Sequence, residues 1–159
     1  MDFPAAFTLL MRIEGGYNDV AADPGGKTTW GITESEARAN GYTGDMRDLT
    51  QDQAMPIYRA KYWQVCRCDD LPDAIRYDVF DAAVNSGPSQ AIRWLQVAVG
   101  AQPDGIIGPA TMKAVIASDA VRLSATLNGI RLKFMTNLTT WPVFGKGWAK
   151  RIATLLTKS

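Results

Sequence analysis

Start and stop signals for short helices recur along the whole chain, and they leave little room for a large sheet. Asp2 with Pro4 opens a first helix of about ten residues, because a short polar side chain caps free N–H groups and proline suits the first turn. Phe3, Phe7, Leu10 and Met11 share one face of that helix, which ends where Gly15-Gly16 follows Glu14. Thr33 with Glu36, and Thr50 with Gln53, are spaced as capping boxes. The first opens a short helix that stops at Gly41, and the second a helix whose pattern Ala54, Ile57, Tyr58, Tyr62 runs to Trp63. Further helices are expected over about 72–86, from Ser89 to just before Gly100, from Pro109 onward, and over about 119–138. Beyond a break at Trp141-Pro142, a last helix over about 143–158 carries Phe144, Trp148, Ile152, Leu155 and Leu156 on one face. Only the glycine-rich stretch 15–32 reads as a long irregular segment, with room for a short hairpin. The fold class is therefore mainly α, with an irregular loop or hairpin after the first helix.

No repeat, low-complexity stretch or linker divides the 159 residues, so one globule over 1–159 is expected. A chain of this length, 47% hydrophobic and 21% charged, can bury a core without staples. The apolar stretch Phe7-Thr8-Leu9-Leu10-Met11 is too short for a leader or a membrane span and lacks a basic flank. The chain is thus expected to be made soluble in the cytoplasm, and any work outside it needs a separate route of release.

The chain has no histidine, so catalysis by Ser-His-Asp or Cys-His groups is excluded and carboxylates must carry acid–base chemistry. Cys66 and Cys68 are too close for an easy disulfide and lack a histidine to complete a zinc site, so both read as free thiols. No metal or organic cofactor is implied. After Asp119 come Arg122, Arg131, Lys133, Lys146, Lys150, Arg151 and Lys158 with no acidic residue among them. A basic, amphipathic last helix is laid out to meet an anionic outer-membrane surface, although the same face also suits closing the core.

The segment 14–33 holds the chemistry. A carboxylate at the end of an apolar helix, where the chain turns into a glycine-rich loop, can sit partly desolvated; desolvation raises its pKa, as a general acid requires. Asp19 and Asp23 follow on the same loop, so a carboxylate pair could flank a glycosidic bond. Tyr17 and Trp30 lie beside them in sequence and could stack on sugar rings. Asp81 and Asn85 share a helical face, placed to bond each other, a loop backbone or an N-acetyl group. For that pair loop support is preferred, with Asn85 kept as a substrate contact beside Tyr17 and Trp30.

Glu14, eight residues, Asp23, five residues and Thr29 resemble the Glu, Asp, Thr triad of phage lysozymes in order and separation. The chain is still more similar to glycoside hydrolase family 108, the muramidases of the phage endolysin kind. The matching motifs are Glu14-Gly15-Gly16-Tyr17, Asp23-Pro24-Gly25-Gly26 and Trp30-Gly31-Ile32-Thr33, then Ile57-Tyr58 and Tyr62-Trp63. They continue with Phe80-Asp81-Ala82-Ala83-Val84-Asn85-Ser86-Gly87-Pro88, Leu95-Gln96, Asp104-Gly105, Ile107-Gly108-Pro109, Gly147-Trp148 and Arg151. Family members often place Asn-Asp-Pro after the aromatic, whereas this chain has Asn18-Asp19-Val20-Ala21, so Asp19 stays an alternative to Asp23 as second carboxylate.

The resemblance implies a lysozyme-like fold and hydrolysis of the β-1,4 bond between N-acetylmuramic acid and N-acetylglucosamine. Glu14 would protonate the leaving oxygen, Asp23 act on the opposite face and Thr29 hold a water. It also implies peptidoglycan as the partner, in the periplasm after release, with no nucleic acid and a monomeric chain. The stretch 95–111 resembles peptidoglycan-binding modules in its Leu-Gln, Asp-Gly and Gly-Pro-x-Thr pattern, so about 88–159 reads as a binding subregion of the same globule. Two rivals stay open: a lytic transglycosylase acting on the same bond, and a non-catalytic cell-wall-binding module.

Overall fold

The computed structural model describes residues 1–12 and 28–157. Two compact units divide the chain, Met1–Trp63 and Gln64–Ser159.

In the first unit, helix α1 spans Phe3–Met11, with the Asp2 side chain accepting from the Ala5 N–H at 3.0 Å. Its expected face is buried: Phe3, Phe7, Leu10 and Met11 all lie in the core. Strands β1 (Thr28–Thr29) and β2 (Ile32–Thr33) pair antiparallel, Thr28 opposite Thr33 and Thr29 opposite Ile32. Helix α2 (Glu34–Ala39) follows with Thr33 as its cap. A 3₁₀ turn at Met46–Asp48 leads to α3 (Gln51–Tyr58), where Thr50 and Gln53 form the full reciprocal capping box.

The pattern read as running on to Tyr62 shifts in register. Pro56 sits inside α3, where it cannot donate to the preceding turn, and the chain widens into a π-helix over Arg59–Gln64. The wider turn puts Trp63, five residues beyond Tyr58, into the core and leaves Tyr62 half-buried. Trp63 meets Phe3 edge-on at 5.3 Å, and Tyr58 meets Phe7 at 5.4 Å, so the displaced register is what seats α1.

In the second unit, α4 (Asp73–Ser86) packs on α5 (Pro88–Ala98) and α7 (Ala120–Thr136). Helix α6 (Pro109–Ala117) lies between α5 and α7 in sequence, and α8 (Trp141–Leu156) packs on α7. Gly87, with φ +85°, lets the chain turn so that Pro88 can open α5 directly after α4. The Leu-Gln, Asp-Gly and Gly-Pro-x-Thr motifs meet in one knot. The buried Gln96 amide donates to Asp104 Oδ1 (2.7 Å), the Ile106 carbonyl (3.0 Å) and Thr111 Oγ1 (3.1 Å), and its oxygen accepts from the Gly105 N–H (2.9 Å). Gly105, at φ +84°, leaves no space for a Cβ, which would fall 2.8 Å from Ser89 Oγ.

Two expectations for the last helix need correction. Pro142 does not delay α8; it occupies the first turn, where its missing N–H is no loss, and the helix begins at Trp141. The five apolar residues do not form one buried face: Ile152 and Leu155 are buried, whereas Phe144 and Leu156 are exposed.

Candidate active site

Glu14, Tyr17, Asp19 and Asp23 lie outside the described residues. What the structure gives of the candidate site is the hairpin that follows them and the scaffold that holds it.

Between β1 and β2 the turn consists of Trp30 (φ +53°) and Gly31 (φ +73°), both left-handed, as a two-residue hairpin of the tightest kind demands. Gly31 accepts that conformation freely. For Trp30 it is strained, costing roughly 1–2 kcal/mol against an ordinary backbone. Two hydrogen bonds hold it there. The indole Nε1 donates to the Leu49 carbonyl at 2.8 Å, and the buried Tyr58 hydroxyl donates to the Trp30 carbonyl at 2.8 Å. Trp30 is therefore a half-buried, pinned ring at a strained tip, a geometry that tends to be kept where a site needs it.

Thr29 is 2% exposed, and its hydroxyl donates to the Met46 carbonyl. With its single proton committed, the Thr29 oxygen can act only as an acceptor. The described carboxylates nearest in sequence are largely occupied in ion pairs. Glu36 meets Lys61 at 2.7 Å, Glu34 meets Arg38 at 2.8 Å and Asp45 meets Arg47 at 2.6 Å. Burial opposes the charge on Lys61, but hydrogen bonds to Glu36 and Tyr62 outweigh it and raise its pKa above the usual lysine value.

Asn85 is half-buried on α4, its Oδ1 accepting from Ser86 Oγ at 3.3 Å. Asp81, one turn earlier, is neither a loop support nor a sugar contact. It is fully buried, with Oδ2 accepting from Arg131 Nη2 and Oδ1 from Arg151 Nε, each at 2.8 Å. Arg131 also donates to Asn128 (3.1 Å), whose amide donates to Asp78 (3.1 Å), and Ser124 donates to the same Asp78 oxygen. Two carboxylates and two guanidiniums thus balance inside the second unit and tie α4, α7 and α8 together. Arg151, one of the basic residues counted after Asp119, is therefore not free to meet an anionic surface: its side chain is 13% exposed and paired. A cleft of about 400 Å³ is lined by Ala98, Ser118, Asp119, Arg122, Leu123 and Thr126; of the described site residues, Thr29, Trp30 and Asn85 are not among its lining.

Sequence reasoning missed Met46 and Leu49, and it placed Tyr58 only on a helix face and in a family motif, not against Trp30. They act through backbone and carbonyl contacts 17 to 28 positions from their partners, and no local pattern announces such pairs.

The family model described as Glycosyl hydrolase 108 matches residues 7–87, a span that contains the hairpin, Glu14 and Asp23. The chain belongs to glycoside hydrolase family 108. A second model, described as "Predicted Peptidoglycan domain", matches residues 90–153. Among solved structures the chain is similar to one titled "Structure of Brucella abortus SagA". The two share 36% identity over 98% of this chain and 91% of that one, with a TM-score of 0.86. No curated protein matches significantly. This family 108 chain has the mainly helical, lysozyme-like fold with its short two-stranded sheet, and it is a glycoside hydrolase whose substrate is peptidoglycan.

Proposed function

We propose that the enzyme is an N-acetylmuramidase that hydrolyses the β-1,4 bond between N-acetylmuramic acid and N-acetylglucosamine. In this reading Glu14 donates a proton to the leaving glycosidic oxygen, and Asp23 stabilises or activates on the opposite face. Thr29 holds a water as an acceptor, the one role its committed hydroxyl proton leaves it. Tyr17, Trp30 and Asn85 contact the sugars, Trp30 by presenting a ring already fixed by its own hydrogen bond to Leu49 and by the bond that holds its backbone carbonyl, which lowers the entropy cost of stacking. The observation that carries the reading is the family match over 7–87, which brings Glu14, Asp23 and the pinned Thr29–Trp30 hairpin into one glycoside hydrolase segment.

The biological setting we propose is that of an endolysin, made in the cytoplasm and acting in the periplasm once released. Mass spectrometry of digested, purified peptidoglycan tests the chemistry. Products that have gained water and end in reducing N-acetylmuramic acid are expected; anhydro sugars without added water would establish a transglycosylase instead. For the setting, cells expressing the chain should lyse only after the inner membrane is permeabilised, and lysis without that step contradicts it.

A further inference from the structure

The hairpin formed by α7 and α8 carries a row of rings that the core does not use. Trp141, Phe144 and Trp148 are spaced three and four apart, so they lie on one face of α8. The Trp141 and Trp148 ring centroids are 6.2 Å apart with planes at 46°, and those of Phe144 and Trp148 are 5.7 Å apart at 32°. Gly145 lies beneath them. A Cβ there would come 2.5 Å from Trp141 Cδ2, so the indole rests on bare backbone. Farther along the same face Ile152 and Leu155 are buried, yet Phe144 is 53% exposed and both tryptophans are half-exposed. The core-facing stripe of α8 therefore overhangs the core by about two turns.

Charge adds a second constraint. No acidic residue follows Asp119, and Lys133, Lys146 and Lys150 are all exposed. Arg131 and Arg151 are already answered by Asp81, so the lysines, with the exposed Arg122 in the first turn of α7, define the field of this hairpin.

We infer that the overhang is a glycan-docking surface, its ligand the sugar chain of peptidoglycan with its carboxylate-bearing stem peptides. The inference rests on peptidoglycan being the substrate, and the peptidoglycan-domain match over 90–153 includes Trp141, Phe144 and Trp148 and the lysines Lys133, Lys146 and Lys150. Pyranose rings offer flat C–H faces to aromatic planes, and adjacent rings offer room for adjacent sugars. The exposed lysines attract the stem-peptide carboxylates over a longer range. Other occupants fit less well. A helix lying in a membrane interface needs an apolar face along its length, and α8 buries the C-terminal part of its own. A second copy would bring like charges together, with no acid on the hairpin to offset them.

The test uses the full chain carrying Glu14→Gln, so that the wall survives, and measures co-sedimentation with purified, lipid-free sacculi. Adding Phe144→Ala should weaken binding about fivefold to tenfold, the usual loss of an aromatic anchor, and Phe144→Trp should restore it. Joint replacement of Lys133, Lys146 and Lys150 by Gln should weaken binding at low salt more than at high salt. With Glu14 intact, Phe144→Ala should hydrolyse short soluble glycan fragments at the unsubstituted rate. Unchanged sacculus binding by Phe144→Ala overturns the inference and leaves the substrate reading standing; failure of the Glu14→Gln chain itself to bind sacculi overturns both. Loss of binding to phosphatidylglycerol vesicles but not sacculi, or a dimer that Phe144→Ala disperses, would equally overturn it.

Discussion

Trp30 shows how a single residue can be both costly and useful. Its left-handed backbone is tolerated because Tyr58 and Leu49 hold its carbonyl and its indole. Tyr58→Phe removes one of those bonds and should lower stability by about 1 kcal/mol. Because the turn then relaxes, turnover on peptidoglycan should fall more than the melting temperature suggests; unchanged turnover in a normally folded Tyr58→Phe chain would separate the turn from catalysis. The sequence announces this turn only in part. Gly31 signals a tight reversal, but nothing local says that a tryptophan precedes it at positive φ, because the compensating groups lie about twenty to thirty positions away. Cys68 is the opposite case, a residue made inert. A hydrogen bond with Cys66, then burial, push its thiol far above the usual range. Iodoacetamide should leave it unlabelled in the native chain at about pH 8 and label it after unfolding, since only the thiolate attacks; prompt native labelling would contradict the buried pair.

At the level of helices, the sequence was legible wherever local chemistry decides the outcome. Asp2, Thr33 and Thr50 cap the helices their spacing predicts, and the face of α1 buries as its period requires. It was misleading where long-range pairing decides. The π-helix after Pro56 and the buried Asp81–Arg131–Arg151 cluster have no signature in spacing, and charged residues usually read as solvated. The cluster makes a sharp prediction. Asp81→Ala strands a buried guanidinium and should cost about 3–5 kcal/mol in denaturant unfolding, whereas a loss under about 1 kcal/mol would show that Arg131 finds water instead. The Gln96 knot predicts a pH effect. The Gln96 amide, then the Ile106 N–H, hold the Asp104 carboxyl below its usual pKa. Because the folded value is the lower one, the stabilisation is complete above the unfolded pKa and is lost as pH falls through the folded one. The stability gap between the unsubstituted chain and Asp104→Asn should therefore be full at neutral pH and shrink below about pH 4. A gap that widens with acid would contradict the sign.

Over the whole molecule, the mainly helical, lysozyme-like character and the family were readable because several dispersed motifs keep their order across most of the chain. The catalytic assignment we propose rests on the residues' order and separation, not on geometry, since Glu14 and Asp23 lie outside the described residues and the described hairpin supplies only Thr29 and Trp30. Glu14 as the proton donor is therefore the assignment on which the proposed chemistry depends. Its most direct test is the rate of reducing-sugar release from purified peptidoglycan by Glu14→Gln, measured beside its melting curve. Glutamine keeps the shape of the side chain but cannot give up the proton, so turnover should fall about a hundredfold or more with the melting temperature unchanged; turnover within a few-fold of the unsubstituted enzyme, in a chain that melts normally, would contradict the account.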